Sequence, residues 1–334
     1  MNLKDGTLQA TYRQEGRVTA PAVAGKQLFV GTDHGLKCVD ITTRKVEWHF
    51  ADAGAVNFPP VTAGGTVFIS GSANKEVFAL DATTGTIRWR YKPDDGHSAR
   101  VRTPLTVVGD ALVFGCERRL HCVDIGTGRT RWLASTGGTL WNVPCASDGV
   151  VYVNSKHIEG FSSATGERVW QHKHKGDLGS APVVSGKRLF VVKERGPVAM
   201  DLTREDHVLW KRRGLWKKPG QENPGRERPA AASDVVLFPV DYLIFALDCR
   251  TGKEKWKLNL GRGVKRVFVV GERCYGIDYL GRVACAEVTS GRQLWRWYRD
   301  REDDKPACDY MYVPGEPALS DGALFIATNA WQHN

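Results

Sequence analysis

Short apolar runs, each bounded by polar turn residues, follow one another along the chain. One order recurs: a stretch led by proline, a short turn, a run such as Leu-Phe-Val, a polar tip, an alternating run that ends near aspartate, and then Thr-Gly and tryptophan. Apolar runs separated by turn residues in this way are typical of β-strands. Each copy therefore predicts four strands joined by three turns.

Seven periodic tryptophans mark the copies. They are separated by 41, 43, 38, 40, 46 and 39 residues. A period of this size is typical of a propeller blade with four strands. The seven residues are Trp48, Trp89, Trp132, Trp170, Trp210, Trp256 and Trp295.

The fullest copies indicate what each position does. In residues 79–89, Asp81 can accept hydrogen bonds from amides of the following turn, and Gly85 can adopt the positive φ of a tight hairpin. Trp89 is expected to wedge against the neighbouring blade while its indole N–H finds an acceptor. Close packing of the sheets explains a column of small residues about ten positions before the tryptophans: Cys38, Ala79, Cys122, Gly160, Ala199, Ala246 and Cys285.

This order of residues resembles the pyrroloquinoline-quinone-like (PQQ-like) β-propeller repeat family, whose blades carry the signature Ala-x-Asp-x-x-Thr-Gly-x-x-x-Trp. The resemblance covers nearly the entire chain and implies one all-β propeller domain over residues 1–334. Three copies depart from the signature: Arg44 replaces the glycine of the first, Ser162 replaces the aspartate of the fourth, and the fifth lacks Thr-Gly at 201–206. We expect looser outer turns in those blades.

Eight first strands predict eight blades. Seven of them are led by proline, and the last, at 316–319, is not followed by a closing tryptophan strand. The run at 5–12, with Tyr12 near the tryptophan position, matches the missing outer strand. We therefore predict an eight-bladed β-propeller of four-stranded blades in which this N-terminal strand closes the last blade and leaves few free sheet edges.

Composition restricts the compartments in which the protein is expected and the partners that it is expected to bind. No apolar run approaches the roughly 18 residues of a membrane-spanning helix, and the first residues resemble neither a secretion signal nor a lipid attachment site. Eight dilute cysteines without a Cys-x-x-Cys pair favour free thiols in a reducing compartment. These features predict a cytoplasmic protein. The net charge of +10 favours anionic partners.

Two stretches are longer than the repeat requires. Residues 211–228 carry seven basic and two acidic side chains, and residues 296–316 contain Trp297, Tyr298, Tyr310 and Tyr312. Long loops on a regular scaffold are frequent binding sites. For the basic loop, a solvated connection without a ligand is an equally good interpretation.

On a propeller, the connections between blades and the hairpin tips between the second and third strands share one face around the axial channel. The sequence gives this face a predominantly basic mouth, whereas its acidic tip residues suit hairpin turns without any functional role. The predicted ligand-binding residues are Arg100, Arg102, Trp141, Asn142, His157, Arg195, Arg228, Lys265 and Arg266.

Catalysis has weaker support from the sequence. A carboxylate beside a phenol could perform acid–base chemistry if burial shifted their pKa values. The histidines show no spacing typical of a metal site, so no metal is expected. The candidate pairs are Asp241 with Tyr242, Asp278 with Tyr279, and Asp309 with Tyr310.

The PQQ-like resemblance also suggests a quinone-dependent dehydrogenase. Such enzymes are exported, longer, and often carry adjacent cysteines beside the cofactor together with acidic and amide ligands for calcium. This chain has no Cys-Cys pair, and basic residues beside the acidic tips oppose calcium binding. We therefore expect neither PQQ nor calcium. Other members of the family are secreted lipoprotein subunits that assemble outer-membrane barrels, a type that the start of this chain does not match.

Two function classes remain. The first is a cytoplasmic binding or scaffold protein whose basic axial face receives an acidic protein segment or a small anionic ligand. The second is an enzyme or small-molecule sensor that uses the axial funnel, since the fold hosts both. The first is favoured because no catalytic constellation stands out. Nucleic acid is a possible partner but is not favoured, because the basic residues lack interleaved aromatic residues.

Overall fold

The structure is a computed structural model that describes most of the chain. The described residues are 1–12, 16–73, 75–94, 96, 100–173, 179–193, 196–204, 207–215, 228–232, 234–261, 263–298, 311–312, 317–327 and 329–330. The chain divides into two compact units, one of residues 1–144 with 312–330 and one of residues 145–311 with 331–334. The single domain over residues 1–334 stays a prediction.

The first unit contains three antiparallel sheets of four strands, each with its strands in chain order. Sheet 1 consists of β1 (Ala22–Ala24), β2 (Gln27–Thr32), β3 (Gly35–Asp40) and β4 (Val46–Phe50). Sheet 2 consists of β5 (Val61–Ala63), β6 (Thr66–Ser70), β7 (Val77–Asp81) and β8 (Ile87–Tyr91). Sheet 3 consists of β9 (Thr106–Val108), β10 (Ala111–Cys116), β11 (Arg119–Asp124) and β12 (Thr130–Ser135).

The second unit contains four sheets of the same kind. Sheet 4 consists of β13 (Cys145–Ser147), β14 (Val150–Asn154), β15 (Ile158–Ser162) and β16 (Arg168–His172). Sheet 5 consists of β17 (Val183–Ser185), β18 (Arg188–Lys193), β19 (Gly196–Asp201) and β20 (Val208–Lys211). Sheet 6 consists of β21 (Ala230–Ala232), β22 (Val235–Val240), β23 (Leu243–Asp248) and β24 (Glu254–Asn259). Sheet 7 consists of β25 (Val264–Val270), β26 (Arg273–Asp278), β27 (Val283–Glu287) and β28 (Gln293–Trp297).

The remaining described strands are short. They form two-stranded sheets, one of β30 (Ala318–Ser320) with β31 (Ala323–Phe325) and one of β29 (Met311–Tyr312) with β32 (Asn329–Ala330). All regular elements among the described residues are strands, which confirms the all-β prediction. The described residues thus give seven complete four-stranded sheets, and an eighth complete sheet is not among them.

One register is shared by all seven sheets. Each periodic tryptophan on the fourth strand lies opposite the small residue of the third strand, as Trp89 does opposite Ala79, and a β-bulge follows that small residue. The small residue leaves space for an aromatic ring of the second strand to reach the tryptophan. In five sheets the ring centroids are 5.7–6.0 Å apart, for example Phe68 with Trp89 at 5.7 Å. This aromatic pair explains the small residue in those five sheets, whereas in sheets 3 and 6 the second-strand residue beside the small residue is Val113 or Leu237.

The tryptophans also join neighbouring sheets. Trp89 Nε1 donates a hydrogen bond to the carbonyl of Ile125 at 3.0 Å, and the ring lies so close to Gly128 that a β-carbon there would come within 2.7 Å of it. Four other indoles bond the next sheet in the same way, and three of them also lie on a turn glycine. Their bonds are Trp48 to Ala82, Trp170 to Arg204, Trp210 to Cys249 and Trp256 to Val288. The predicted contact between blades is therefore present.

The turn after the third strand is built as the sequence predicts. Asp81 Oδ1 accepts hydrogen bonds from the amides of Thr83 and Thr84, both at 2.9 Å, and Gly85 has a φ of 73°. The looser turns expected in the first and fourth copies are absent. Arg44 adopts a φ of 62° and its amide donates to the Asp40 carbonyl at 2.8 Å, as the amide of Gly85 does to Asp81. Those expectations are wrong because the backbone bonds of the turn survive the substitutions.

The N-terminus joins the last strands, but not through the segment that the sequence indicates. Met1 and Leu324 exchange backbone hydrogen bonds of 3.0 and 2.7 Å, and Asn2 bridges Ala323. Residues 5–12 contain no strand. Their predicted pairing is wrong because Asp5 accepts hydrogen bonds from the amide and the hydroxyl of Thr7, which turns the chain away after Leu3.

Candidate functional site

The hairpin tips between second and third strands are held by residues of the preceding connection. Three hydroxyls accept a hydrogen bond from a backbone amide twelve residues later, and in each case the connection is tied to the end of the second strand. The pairs are Thr19 with Gly31 at 3.1 Å, Thr103 with Gly115 at 2.8 Å, and Ser180 with Val192 at 2.9 Å. These residues were not predicted from the sequence, although a serine or threonine just before a proline-led first strand is a pattern that could have indicated them.

Two acidic tip residues of the first unit pair with arginines of the same connections. Arg17 Nε lies 3.2 Å from Asp33 Oδ1, and Arg102 Nε donates to Glu117 Oε1 at 2.9 Å. Glu117 has a φ of 48° and the tip residue Asp241 a φ of 51°, a conformation found mostly in turns. These contacts support the interpretation of the acidic tip residues as turn residues. They also hold the two arginines at the tips.

Trp141 and Arg102 form the most exposed aromatic site of the first unit. The guanidinium carbon of Arg102 lies 5.0 Å from the centre of a Trp141 ring, and Trp141 is 63% exposed. Glu117 holds the same guanidinium from the other side. The backbone supports this geometry, because the amide of Leu140 donates to the Glu117 carbonyl at 3.0 Å and the amide of Arg102 donates to Gly115 at 2.8 Å. A largely exposed indole thus lies beside an arginine that is held by Glu117.

The other predicted ligand-binding residues divide between the two units. In the first unit, Arg100 is exposed and Asn142 is half-buried. In the second unit, His157, Arg228, Lys265 and Arg266 are half-buried. Arg100, Asn142, His157 and Arg228 lie at a hairpin tip or in a connection, whereas Lys265 and Arg266 lie within the first strand of sheet 7, β25. Arg195 lies outside the described residues, as do residues 216–227 of the basic loop and 299–310 of the second long loop.

The Asp-Tyr pairs have structural partners. Asp278 is buried, and its carboxylate accepts hydrogen bonds from the amides of Leu280 and Arg282 at 2.8 and 3.0 Å and from Arg282 Nε at 2.5 Å. Tyr279 packs its ring on Gly263 and is contacted by the ammonium of Lys265 at 5.2 Å. Asp241 and Tyr242 are exposed. Asp309 and Tyr310 lie outside the described residues, and the acid–base role of the three pairs stays a prediction.

Sheet 4 contains a buried carboxylate that was not predicted from the sequence. The side chain of Glu159 is fully buried and lies 3.3 Å from Arg168 Nη1. Its other oxygen accepts a hydrogen bond from the hydroxyl of Ser155 at 2.7 Å. The only signal in the sequence is a glutamate inside an apolar strand. This group ties the tip of sheet 4 to its outer strand.

The described cysteines are free, buried thiols. Burial raises the pKa of Cys38, Cys249 and Cys274 to about 12 and that of Cys122 and Cys145 to about 11. Such thiols stay protonated near neutral pH and are poor nucleophiles and poor metal ligands. Among the described residues no group of three histidines, cysteines or carboxylates is placed to hold a metal ion. The expectation of neither PQQ nor calcium stays a prediction.

The comparisons with known proteins agree on one family. The family model described as "Outer membrane protein assembly factor BamB" matches residues 4–139, 104–212 and 198–331. The assembly factor BamB of Yersinia pestis is 24% identical over 69% of this chain and 64% of its own length. Tetrathionate hydrolase of Acidithiobacillus ferrooxidans is 24% identical over 88% of this chain and 60% of its own length. The chain thus spans less than two thirds of each relative.

The chain is also similar in fold to solved structures. BamB from Moraxella catarrhalis superposes with a TM-score of 0.67 at 19% identity, covering 84% of this chain and 88% of that one. This likeness supports the β-propeller fold. No helix of the described residues is long and apolar enough to cross a membrane.

One prediction is overturned by these comparisons. The cytoplasmic location inferred from the first residues is wrong, because the family and the Yersinia relative are named for the assembly of outer membrane proteins. The prediction rested on the first residues and on the dilute cysteines, and neither feature determines the compartment in which a propeller acts. The repeat resemblance, in contrast, is confirmed: the chain belongs to the PQQ-like repeat family described as outer membrane protein assembly factor BamB.

Proposed function

We propose that this chain is a binding scaffold in the assembly of outer membrane proteins, and that it holds a protein partner at the site of Trp141 and Arg102. The family and the Yersinia relative supply the process. The observation that carries the site is the 63% exposed indole of Trp141 with the Arg102 guanidinium 5.0 Å from its ring centre.

Physical chemistry favours a protein partner for this pair. Tryptophan and arginine dominate the residues whose removal weakens protein interfaces most. The ion pair with Glu117 and the contact with the ring hold Arg102 in place, so little side-chain freedom is lost when a partner covers the site. The attraction between a cation and an indole ring also becomes stronger when water is excluded. The site is therefore suited to anchor an interface.

The test is crosslinking in living bacteria. A photoreactive phenylalanine analogue is placed at position 141 and, as a matched control, at position 133, where Leu133 is exposed on the outer strand β12 of the same unit. Crosslinks from 141, but not from 133, to a protein of the outer membrane assembly machinery are expected. Arg102→Ala should reduce the crosslinked fraction. The proposal fails if position 141 yields no specific partner or the same products as position 133.

We also infer that the ends of the chain share an eighth blade. Its described parts are β30, β31 and the segment Met1 to Leu3, which bonds to β31 through Leu324 and Gly322. If both ends of the chain build this blade, the first strand of the last copy needs no tryptophan strand after it.

A further inference from the structure

Three exposed tyrosines gather at one end of sheets 6 and 7. Tyr242 is 46% exposed, Tyr279 41% and Tyr298 48%. Tyr242 and Tyr279 lie at the hairpin tips that follow β22 and β26, and Tyr298 follows the last residue of β28. The tips and the ends of the fourth strands lie at the same end of an antiparallel sheet. These side chains therefore belong to one end of the second unit.

Hydrogen bonds connect these positions without a gap. On sheet 6, the amide of Leu260 donates to the Tyr242 carbonyl at 2.8 Å, and Arg296 donates to the neighbouring Asn259 carbonyl. On the other side, the amide of Val264 donates to the Asp241 carbonyl at 2.5 Å, and the amide of Tyr279 donates to Gly263 at 3.0 Å. We call this continuous area the tyrosine surface; it comprises Asp241, Tyr242, Lys265, Arg266, Tyr279, Arg282, Arg296 and Tyr298.

Cations lie against two of the rings. The Lys265 ammonium is 5.2 Å from the centre of Tyr279. The guanidinium carbons of Arg282 and Arg296 are 5.7 and 5.9 Å from the centre of Tyr298, and Arg296 Nη1 donates to the Tyr298 hydroxyl at 3.1 Å. Gly263 also packs against the Tyr279 ring, so cations and backbone already occupy part of the ring surface on which a nucleic acid base would stack.

Charge favours an acidic partner. The tyrosine surface holds the cations Lys265, Arg266, Arg282 and Arg296. Of its nearby carboxylates, Asp278 is buried and bonded to Arg282, which leaves Asp241 as the exposed one. The surface thus combines an excess of positive charge with aromatic rings for apolar side chains.

We propose that the tyrosine surface binds an acidic segment of a partner protein that alternates carboxylates with aromatic or apolar side chains. Carboxylates would accept hydrogen bonds from the arginines and Lys265, while the apolar side chains pack on the edges of Tyr242, Tyr279 and Tyr298. The inference rests on the scaffold function proposed above and adds to it a second surface and a partner chemistry.

The test uses a fluorescently labelled twelve-residue peptide in which glutamate alternates with phenylalanine or proline, titrated with the purified full chain. Tyr279→Ser and Tyr298→Ser should each weaken binding at least tenfold. The control Tyr12→Ser, which removes a 39% exposed tyrosine of the first unit, should leave binding unchanged. Thermal melting of each variant shows that the fold is kept.

Further probes identify what the surface recognises. A peptide with lysine in place of glutamate should bind at least tenfold more weakly, and a polyglutamate peptide of equal length should bind less tightly than the alternating one. The proposal is overturned if the alternating peptide does not bind, if Tyr12→Ser weakens binding as much as Tyr298→Ser, or if a twelve-nucleotide single strand of DNA binds more tightly at the same tyrosines. Loss of peptide binding with retained crosslinks from position 141 would refute this surface and leave the proposed function intact.

Discussion

A left-handed backbone residue stands in the turn before six of the seven periodic tryptophans, among the residues that the structure describes. Glycine supplies it in most copies, with φ values of 73° at Gly85 and 71° at Gly128. Arg44 supplies it in the first copy at 62°, where its β-carbon meets the following carbonyl oxygen. Arg44 therefore introduces a local backbone strain into this turn. No described contact of Arg44 explains why arginine stands at this position.

Arg44→Gly should stabilise the protein by about 0.5–1 kcal/mol, because relief of the left-handed strain exceeds the extra entropy of glycine in the unfolded chain. Urea unfolding measures the change. Arg44→Ala is the matched control, since it removes the guanidinium and keeps the β-carbon. Equal stabilisation by alanine would show that charge, not backbone strain, is responsible.

The turn aspartates should make the protein sensitive to acid. The Arg88 guanidinium and the turn amides hold the pKa of Asp81 at about 2, and Arg131 with Thr127 does the same for Asp124. Because these values are below that of an unfolded aspartate, the stabilisation is present above about pH 4 and is lost as the pH falls toward about 2. The unfolding midpoint of Asp81→Asn should change less between pH 5 and 2 than that of the natural protein. Asp52→Asn, at an exposed position, is the control and should keep the natural acid dependence.

At the scale of strands and sheets, the tryptophan contact sets the distance between neighbours. Trp89 pairs with Phe68 inside its own sheet, bonds to the Ile125 carbonyl, and lies flat on Gly128 of the next one. The glycine therefore has two independent roles, a positive φ and the absence of a β-carbon. Only the first of these is visible in the sequence.

Gly128→Ala separates these two roles when it is compared with Gly109→Ala. Both glycines have positive φ, but a β-carbon at Gly109 meets nothing within 4 Å, whereas one at Gly128 would lie 2.7 Å from the Trp89 ring. Both variants should lose about 1 kcal/mol to backbone strain. Gly128→Ala should lose roughly 1–3 kcal/mol more through overpacking. Similar unfolding free energies for the two variants would refute the second role.

The sequence predicts the strands and most of the turns because those depend on local patterns. The period of the tryptophans, the small residues opposite them and the aspartate turns all repeat, so each copy supports the others. The site is less predictable. Trp141 and Arg102 could be named because they stand outside the repeat signature, but the surroundings of Tyr298 and Glu159 depend on which side chains the folded strands bring against them. The error at residues 5–12 has a different, local cause, since the pattern favoured a strand that the Asp5 turn prevents.

At the scale of the molecule, the bonds between Met1 and Leu324 bring together residues 323 positions apart. Asn2 lies directly opposite Ala323 in an antiparallel bridge. Residues opposite each other in this way have Cα atoms about 4.5–5.5 Å apart, within the range of a disulfide.

The double variant Asn2→Cys with Ala323→Cys should form an internal disulfide on mild oxidation. Faster migration on a non-reducing gel, together with the loss of two reactive thiols, would measure it. Leu8→Cys with Ala323→Cys is the matched control and should stay reduced, because Leu8 is exposed and belongs to no strand. A disulfide in the control alone would restore the pairing of residues 5–12.

The composition of the first unit has a consequence for the order of events during synthesis. This unit takes its residues from 1–144 and from 312–330. At typical rates of translation, roughly 10–30 s pass between the emergence of these two parts. During that interval sheets 1 to 3 are complete, but β31, to which Met1 bonds, has not been made. The four sheets of the second unit are synthesised in the meantime. A chaperone that protects the nascent chain should therefore contact residues near Met1 and β1 longer than any later segment.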